Sequence, residues 1–354
     1  MTTFLITGGA GFVGSHLAIG LREHDPSARI VALDNLRRRG SELNLPRLRE
    51  KGIQFVHGDI RNPSDIAEAG PFDVLLECSA EPSVLAGYGE SPRYVVDTNL
   101  NGTVNCLDAA RTHGAAIIFL STSRVYPVRA LNALSYTESD TRLTLDDVQA
   151  VPGVSAQGIC ENFPLDGARS LYGATKLCSE FLIHEFLDMY GLKGVINRCG
   201  VLTGPWQMGK IDQGVVVLWA ARHIYGGVLQ YIGFGGQGKQ VRDMLHVDDL
   251  LRLIIHEIEH MDELNGRTFN VGGGLGVSAS LLELTHLCQE ITGNTIEIKS
   301  QIEGRPADIP IYITDNTRVT NETGWSPQKD VRAILTEICT WIQQNEEALR
   351  PILT

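Results

Sequence analysis

The segment Thr7-Gly-Gly-Ala-Gly-Phe-Val-Gly14 limits what this chain can fold into more than any other. It follows Thr3-Phe-Leu-Ile-Thr7, an apolar run suited to a buried strand, and leads into Ser15-His-Leu-Ala-Ile-Gly-Leu-Arg22, which has helical spacing. Strand, glycine turn and helix start therefore meet. Gly8 permits the tight turn, Gly11 lets the backbone approach a pyrophosphate, and Gly14 lets the helix pack on the strand. The helix amides, those of Phe12 and Val13 among them, then point at the anion. A glycine turn alone is also met for structural reasons, so the segments that follow decide.

A second apolar run, Arg29-Ile-Val-Ala-Leu33, ends in Asp34. An acid at a strand's carboxyl end, ~20 residues after the glycine turn, accepts hydrogen bonds from an adenosine ribose. That favours NAD over NADP. Arg37-Arg38-Arg39 just beyond would suit a 2′-phosphate, but Asp34 repels that group at closer range. Val56-His57-Gly58-Asp59-Ile60 reads as the end of a third strand, where Asp59 and the Ile60 amide can hold the adenine ring. Ordinary turn chemistry is the rival reading for Asp59.

The chain has 354 residues, 43% hydrophobic and 20% charged, enough for one large core or two modest ones. Strand and helix patterns alternate through Val74-Leu-Leu76, a helix near Gly102 to Thr112, Ala116-Ile-Ile-Phe-Leu120, a helix near Tyr172 to Tyr190, and Gly194-Val-Ile-Asn197. That rhythm predicts an α/β fold with a doubly wound parallel sheet. From about Leu202 glycine-rich loops take over, followed by a strand at Thr268–Val271 and helices at Leu281–Thr292 and Val331–Asn345. The expected division is a dinucleotide domain over 1–201, with segments near 241–272 returning to it, and a smaller substrate lobe over 202–354.

No apolar stretch approaches the length of a membrane span, and Met1 leads directly into the first strand, so a cytoplasmic protein is expected. Seven cysteines without a Cys-x-x-Cys pair argue against a disulfide framework or structural zinc, and no metal is expected. A net charge of −12 disfavours nucleic acid and anionic membrane as partners, leaving particular arginines to meet any anionic substrate.

Tyr172-Gly-Ala-Thr-Lys176 places a phenol and an ammonium on one helix face. A nearby ammonium favours phenolate, which makes Tyr172 a candidate base, while Lys176 can also hold a nicotinamide ribose. On an arbitrary solvated helix this spacing would mean little; after the fifth strand it carries weight. Phe119-Leu-Ser-Thr-Ser-Arg-Val-Tyr126 offers Ser121, Thr122 and Ser123 as the accompanying hydroxyl.

These motifs together resemble the extended short-chain dehydrogenase/reductases of the nucleotide-sugar epimerase and dehydratase group. Their pattern is Ser-(Ser/Thr)-x-x-Val-Tyr followed by Tyr-x-x-x-Lys. The resemblance implies a Rossmann-type domain with bound NAD and a smaller C-terminal lobe, and it puts the catalytic hydroxyl on Thr122. It covers nearly the whole chain, including Asn99-Leu-Asn-Gly-Thr103 beside the cofactor and Arg242-Asp-Met-Leu-His-Val-Asp-Asp249. It adds Asn35, Ser79 and Asn99 to the cofactor contacts. It assigns the substrate to Thr122, Ser123, Gln213, Arg242, Arg305 and Asp308, the two arginines gripping a nucleotide's diphosphate as guanidinium suits. Relatives usually dimerise through the helix after Asn99 and the catalytic helix, where Leu177, Phe181, Leu182 and Phe186 offer apolar surface.

Sugar 4,6-dehydratases of this group carry Asp-Glu after the catalytic Thr; here Ser123 and Arg124 stand there, so epimerisation is the better expectation. Ile211-Asp-Gln-Gly-Val-Val-Val-Leu-Trp219, Gly238–His246 and Leu33–Gly40 resemble the tyvelose/paratose 2-epimerase subgroup, which inverts carbon 2 of a CDP-linked deoxyhexose for surface-carbohydrate biosynthesis. So does the long stretch Pro127–Ser170, expected to cover the sugar. The alternatives are a UDP-hexose 4-epimerase, a net NAD-dependent oxidoreductase of sugar nucleotides, and a non-catalytic NAD-binding protein. The chain departs from the family pattern at Glu77-Cys78-Ser79-Ala80-Glu81, where His-x-Ala-(Ala/Gly) is usual, and at Cys199-Gly200-Val201, which lacks polar side chains. Glu77 reads either as a buried structural acid or as a group that alters the local charge balance.

Overall fold

The computed structural model describes residues 1–209 and 213–354. The chain forms two compact units. One comprises Met1–Val125, Leu171–Arg198 and Leu250–Phe269; the other comprises Tyr126–Ser170, Cys199–Asp249 and Asn270–Thr354.

In the first unit β1 (Thr3–Thr7), β2 (Arg29–Asp34), β3 (Gln54–His57), β4 (Val74–Glu77) and β5 (Ala116–Thr122) join the strands Gly194–Cys199 and Thr268–Val271. The spatial order is β3-β2-β1-β4-β5, then the two later strands. The sheet is parallel where β1 meets β2 and β4, where β2 meets β3 and where β4 meets β5. Successive crossovers run one way from β1 to β3 and the other way from β4. The switch point therefore lies between β1 and β4, where an open sheet of this kind receives its ligand at the carboxyl ends of the strands. The register sets Thr7 opposite Glu77 and Leu33 next to Thr7, so turn and acids gather at one edge.

The central strands are apolar on both faces because helices cover both. Leu5, Val31, Leu75, Ile117 and Phe119 form one cluster with Leu107, Ala110 and Ile183 of the helices Gly102–His113 and Leu171–Tyr190. Of the apolar residues considered for a dimer face, Leu177 is buried, Leu182 and Phe186 pack against that cluster, and Phe181 is 58% exposed.

In the second unit the strand Val241–His246 pairs with Val201–Thr203, Ser278–Ser280 and Ile311–Tyr312. The helices Val215–Tyr225, Leu281–Thr292 and Val331–Gln344 pack together. Ser280 and Glu283 form a capping box that starts the second of these helices.

The two compact units divide the chain differently from the expected 1–201 against 202–354 in two places. Residues 126–170 belong to the second unit because their backbone bonds there. The Leu143 amide donates to the Lys239 carbonyl at 3.0 Å and the Ile159 amide to Ile313 at 2.8 Å. The return to the first unit is Leu250–Phe269, narrower than 241–272, since the strand Val241–His246 is the centre of the second sheet. Among the described residues no helix is long and apolar enough to cross a membrane.

In the first unit Glu257 is wholly buried and accepts one hydrogen bond, from Asn197 Nδ2 at 2.9 Å. Burial pushes its carboxyl up to about 8. A raised acid favours the fold while protonated, so its contribution is intact below the unfolded value and is lost as pH climbs toward 8. Glu257→Gln should melt with the parent at pH 4 and lead it by on the order of 2 kcal/mol at pH 8. Thermal melts at the two pH values measure this; parallel curves would refute it.

Candidate functional site

The glycine turn forms as its residues dictate. Gly8 has φ +63°, and the Gly11 amide donates to the Gly8 carbonyl at 2.9 Å. A Cβ on Gly14 would stand 2.2 Å from the Gly8 oxygen, closer than any side chain permits. The helix α1 (Phe12–His24) starts on Gly11, with no side chain capping it. Its first-turn amides, at Phe12, Val13 and Gly14, are thus available to an anion.

Asp34 Oδ2 accepts from the Ala10 amide at 3.1 Å and Oδ1 from the Leu36 amide at 2.8 Å. Burial raises this carboxyl, and the Leu36, Ala10 and Gly11 amides pull it back. Asp34 therefore braces the turn from below while retaining acceptor capacity. Asn35 and Asp59 are brought to each other: Asn35 Nδ2 donates to Asp59 Oδ2 at 2.8 Å. Asp59 also takes both arms of Arg61, at 2.9 and 2.7 Å, which hold its carboxyl down at about 2. Ile60 is buried, its carbonyl accepting from Asn105 at 2.9 Å. Tyr94 was not singled out from sequence; Arg37 lies 3.9 Å and Arg61 5.0 Å from its ring centroid, which turns the first of the three arginines onto an aromatic face.

At the end of β4, Glu77 is 1% exposed. Its Oε1 accepts from the Ser79 amide at 3.1 Å and the Thr7 hydroxyl at 3.4 Å. Its Oε2 lies 3.5 Å from Lys176 Nζ. Burial raises the Glu77 carboxyl, with Lys176 pulling it back. Asn99 is fully buried, and both ends of its amide bind the Glu81 backbone: Oδ1 accepts from the amide at 2.7 Å and Nδ2 donates to the carbonyl at 3.0 Å. It thereby fixes the loop that carries Ser79.

Thr122 closes β5 and is buried, its Oγ1 accepting from the Arg124 amide at 3.2 Å. Ser123 begins the turn that follows. The helix Leu171–Tyr190 packs against both β5 and that turn, with Tyr172 half-buried in its first turn. Lys176 is 2% exposed, and its Nζ sits 4.0 Å from the Phe119 ring centroid.

What sequence reasoning missed is the lock four residues further along the same helix face. Glu180 accepts from the Ser121 hydroxyl on β5 and from Arg198 on the next strand, Nε at 3.0 Å and Nη2 at 2.7 Å. Glu180 and Arg198 are both buried. The signal was available, since Tyr172, Lys176 and Glu180 lie at i, i+4 and i+8.

In the second unit Arg242 and Asp308 come together at 3.3 Å, and Arg242 Nη2 also donates to the Ile309 carbonyl at 2.6 Å. Arg305 lies in the turn that leads to Asp308, its carbonyl accepting from the Asp308 amide at 3.3 Å. Gln213 is half-buried, while Ile211 and Asp212 of the same motif lie outside the described residues. His246, Asp248 and Glu337 could offer atoms to a metal ion. Lys329 Nζ, however, reaches Asp248 at 2.7 Å and Glu337 at 2.8 Å and already pairs with both carboxylates.

A profile of the NAD dependent epimerase/dehydratase family matches residues 4–272. This chain belongs to that family. CDP-paratose 2-epimerase of Salmonella typhi is 30% identical over 349 residues, 95% of this chain and 98% of that protein. dTDP-glucose 4,6-dehydratase of Streptomyces griseus is 29% identical, covering 100% of this chain and 98% of that protein. The crystal structure of UDP-glucose 4-epimerase from Thermotoga maritima, with UDP-glucose, superposes with a TM-score of 0.77 at 26% identity, covering 97% of this chain and 99% of that one.

As a member of the epimerase/dehydratase family the chain is an NAD-dependent enzyme, and its own residues fit that cofactor. The turn that a Cβ at Gly14 would fill, the uncapped start of α1 and the acid at Asp34 suit a pyrophosphate and an adenosine ribose. Gly14→Ala should therefore lower NAD affinity by about tenfold or more, read by cofactor titration. Glu180→Ala removes the carboxylate that meets Arg198 in the interior and should cost about 3–5 kcal/mol in denaturant unfolding; a loss below 1 kcal/mol would show that the lock does not hold the helix.

Proposed function

We propose that this enzyme is a nucleotide-sugar epimerase that inverts carbon 2 of a CDP-linked deoxyhexose through a transient keto-sugar. The observation that carries the reading is the surroundings of Thr122. The residues that follow it are Ser123 and Arg124, and its hydroxyl accepts from the Arg124 amide. Eliminating water from a sugar needs an adjacent acid and base, and that pair is not in sequence there. Oxidation to a ketone and re-reduction on the opposite face need only one proton-transfer group beside the cofactor. The 30% identity to a CDP-paratose 2-epimerase supports CDP and carbon 2.

In this reading Tyr172 takes the proton from the sugar hydroxyl, and Thr122 shares the hydrogen bond. Lys176 favours the phenolate and holds the nicotinamide ribose. Arg242 and Arg305 hold the diphosphate while the keto-sugar turns, and Ser123, Gln213 and Asp308 contact the substrate. Bound NAD supplies the acceptor and donor of the hydride. Tyr172 returns its proton as the hydride goes back to the opposite face of the keto-sugar, so no cofactor is consumed. We also propose a homodimer formed through the catalytic helix, supported by the exposure of Phe181. UDP-hexose 4-epimerisation is the second reading, supported by the structural likeness to a UDP-glucose 4-epimerase.

The test is incubation with CDP- and UDP-linked hexoses in deuterated water, followed by proton NMR and by absorbance at the reduced-nicotinamide band. Inversion at carbon 2 of a CDP sugar, without solvent deuterium and without accumulating reduced cofactor, is expected. Inversion at carbon 4 of a UDP sugar selects the second reading, and steady release of reduced cofactor overturns both. Tyr172→Phe should slow turnover by about 10²–10⁴-fold.

A further inference from the structure

The buried pair of Glu77 and Lys176 is not required by the proton transfer at Tyr172. A lysine that holds a ribose and favours a phenolate can do both as a lone ammonium, yet here a carboxylate 1% exposed stands 3.5 Å from its Nζ. Three features show that the carboxylate is built for that position. The parallel register sets Glu77 opposite Thr7 at the entry to the glycine turn. Oε1 is held by the Ser79 amide and the Thr7 hydroxyl, both donors, which favours the ionised form. That leaves Oε2 facing the ammonium, with the Phe119 ring below Nζ.

Charge explains why such a pair matters to this chemistry. The oxidised nicotinamide ring carries a positive charge and the reduced ring none. A bare buried ammonium close to the ring disfavours the oxidised form relative to the reduced one, and in a poorly screened interior the effect is large. Pairing the ammonium with a carboxylate removes the net charge. An isomerase that consumes no cofactor must rest with the oxidised form bound, because a molecule that rests reduced cannot start.

We propose that Glu77 is a positioning residue that neutralises Lys176 at the cofactor site and thereby sets the preference of the protein for oxidised over reduced cofactor. The inference rests on the reading of Lys176 as the lysine that holds the nicotinamide ribose. It concerns this chain in particular, since the acid stands where the family pattern has histidine.

The test needs no sugar. The purified protein is equilibrated with defined mixtures of NAD and NADH, and the bound fraction of each is read by reduced-nicotinamide fluorescence and by extraction. Glu77→Gln, which keeps the shape and the acceptor for the Ser79 amide, should shift the bound ratio toward NADH by about tenfold. The double variant Glu77→Gln with Lys176→Met, which is again neutral, should return toward the parent ratio. Should Glu77→Gln fail to fold, Glu77→Met removes the same charge at similar volume and is read the same way. Equal weakening of both cofactor forms in the Glu77 variant, or an unchanged ratio, overturns the proposal. Lys176→Met alone separates the two levels: unchanged total cofactor binding overturns the placement of Lys176, whereas weakened binding beside an unchanged Glu77→Gln ratio overturns only the role of Glu77.

Discussion

The ion pair between Glu180 and Arg198 is the interaction on which the geometry of the first unit turns. Moving two charges into a nonpolar interior costs several kcal/mol apiece, so such a pair persists only where its geometry is nearly complete. Here one carboxylate is met by two guanidinium nitrogens and a serine hydroxyl. Ser121 and Arg198 belong to adjacent strands, so the helix that bears Glu180 is fixed to two rails at once. Rotation about its axis would break every one of these bonds. Tyr172 and Lys176 occupy the same stripe of that helix, and their direction is inherited from the lock. An apolar contact would not do this, because apolar surfaces tolerate sliding.

Much of the first unit was legible in the sequence. Strands that are apolar throughout, each followed by a helical segment, have few ways to pack other than as a covered parallel sheet, and the glycine turn dates the beginning of the series. The places of Asp34, Thr122, Tyr172 and Lys176 in the fold were readable because backbone position constrains them: strand ends and one helix face. Asn35, Asp59 and Asn99 were read as ligands of the cofactor, yet each spends hydrogen bonds on a neighbouring side chain or on loop backbone. Polar groups near a site serve it by shaping loops as well as by contact, and residue type alone does not separate the two.

Less of the second unit was legible. Residues 126–170 carry strands of two or three residues that pair locally, Tyr136–Glu138 with Leu143–Leu145, while the backbone bonds that place them run to remote residues such as Lys239 and Ile313. A period-2 pattern of three residues is too short to announce itself, and hydrogen bonds to distant carbonyls leave no trace in local composition. The passage of the chain into the second compact unit at Tyr126 leaves no local signal for the same reason. Asp308 shows the difficulty at a single position: it looked like a substrate contact, and it also meets Arg242, the cation expected to hold the diphosphate.

The interleaving of the two units governs how the chain can come off the ribosome. Residues 126–170 emerge long before Lys239 and Ile313, to which their backbone is tied, and one edge strand of the large sheet is Thr268–Val271. Neither unit can be completed in the order of synthesis. The early strands can assemble around Leu5, Val31 and Leu75 while an unpaired sheet edge and an unhoused hairpin wait for chain not yet made. Contacts of such long sequence separation slow folding and prolong the life of exposed edges. For a protein built this way, translation speed between residues 170 and 313 sets the interval of greatest exposure to aggregation.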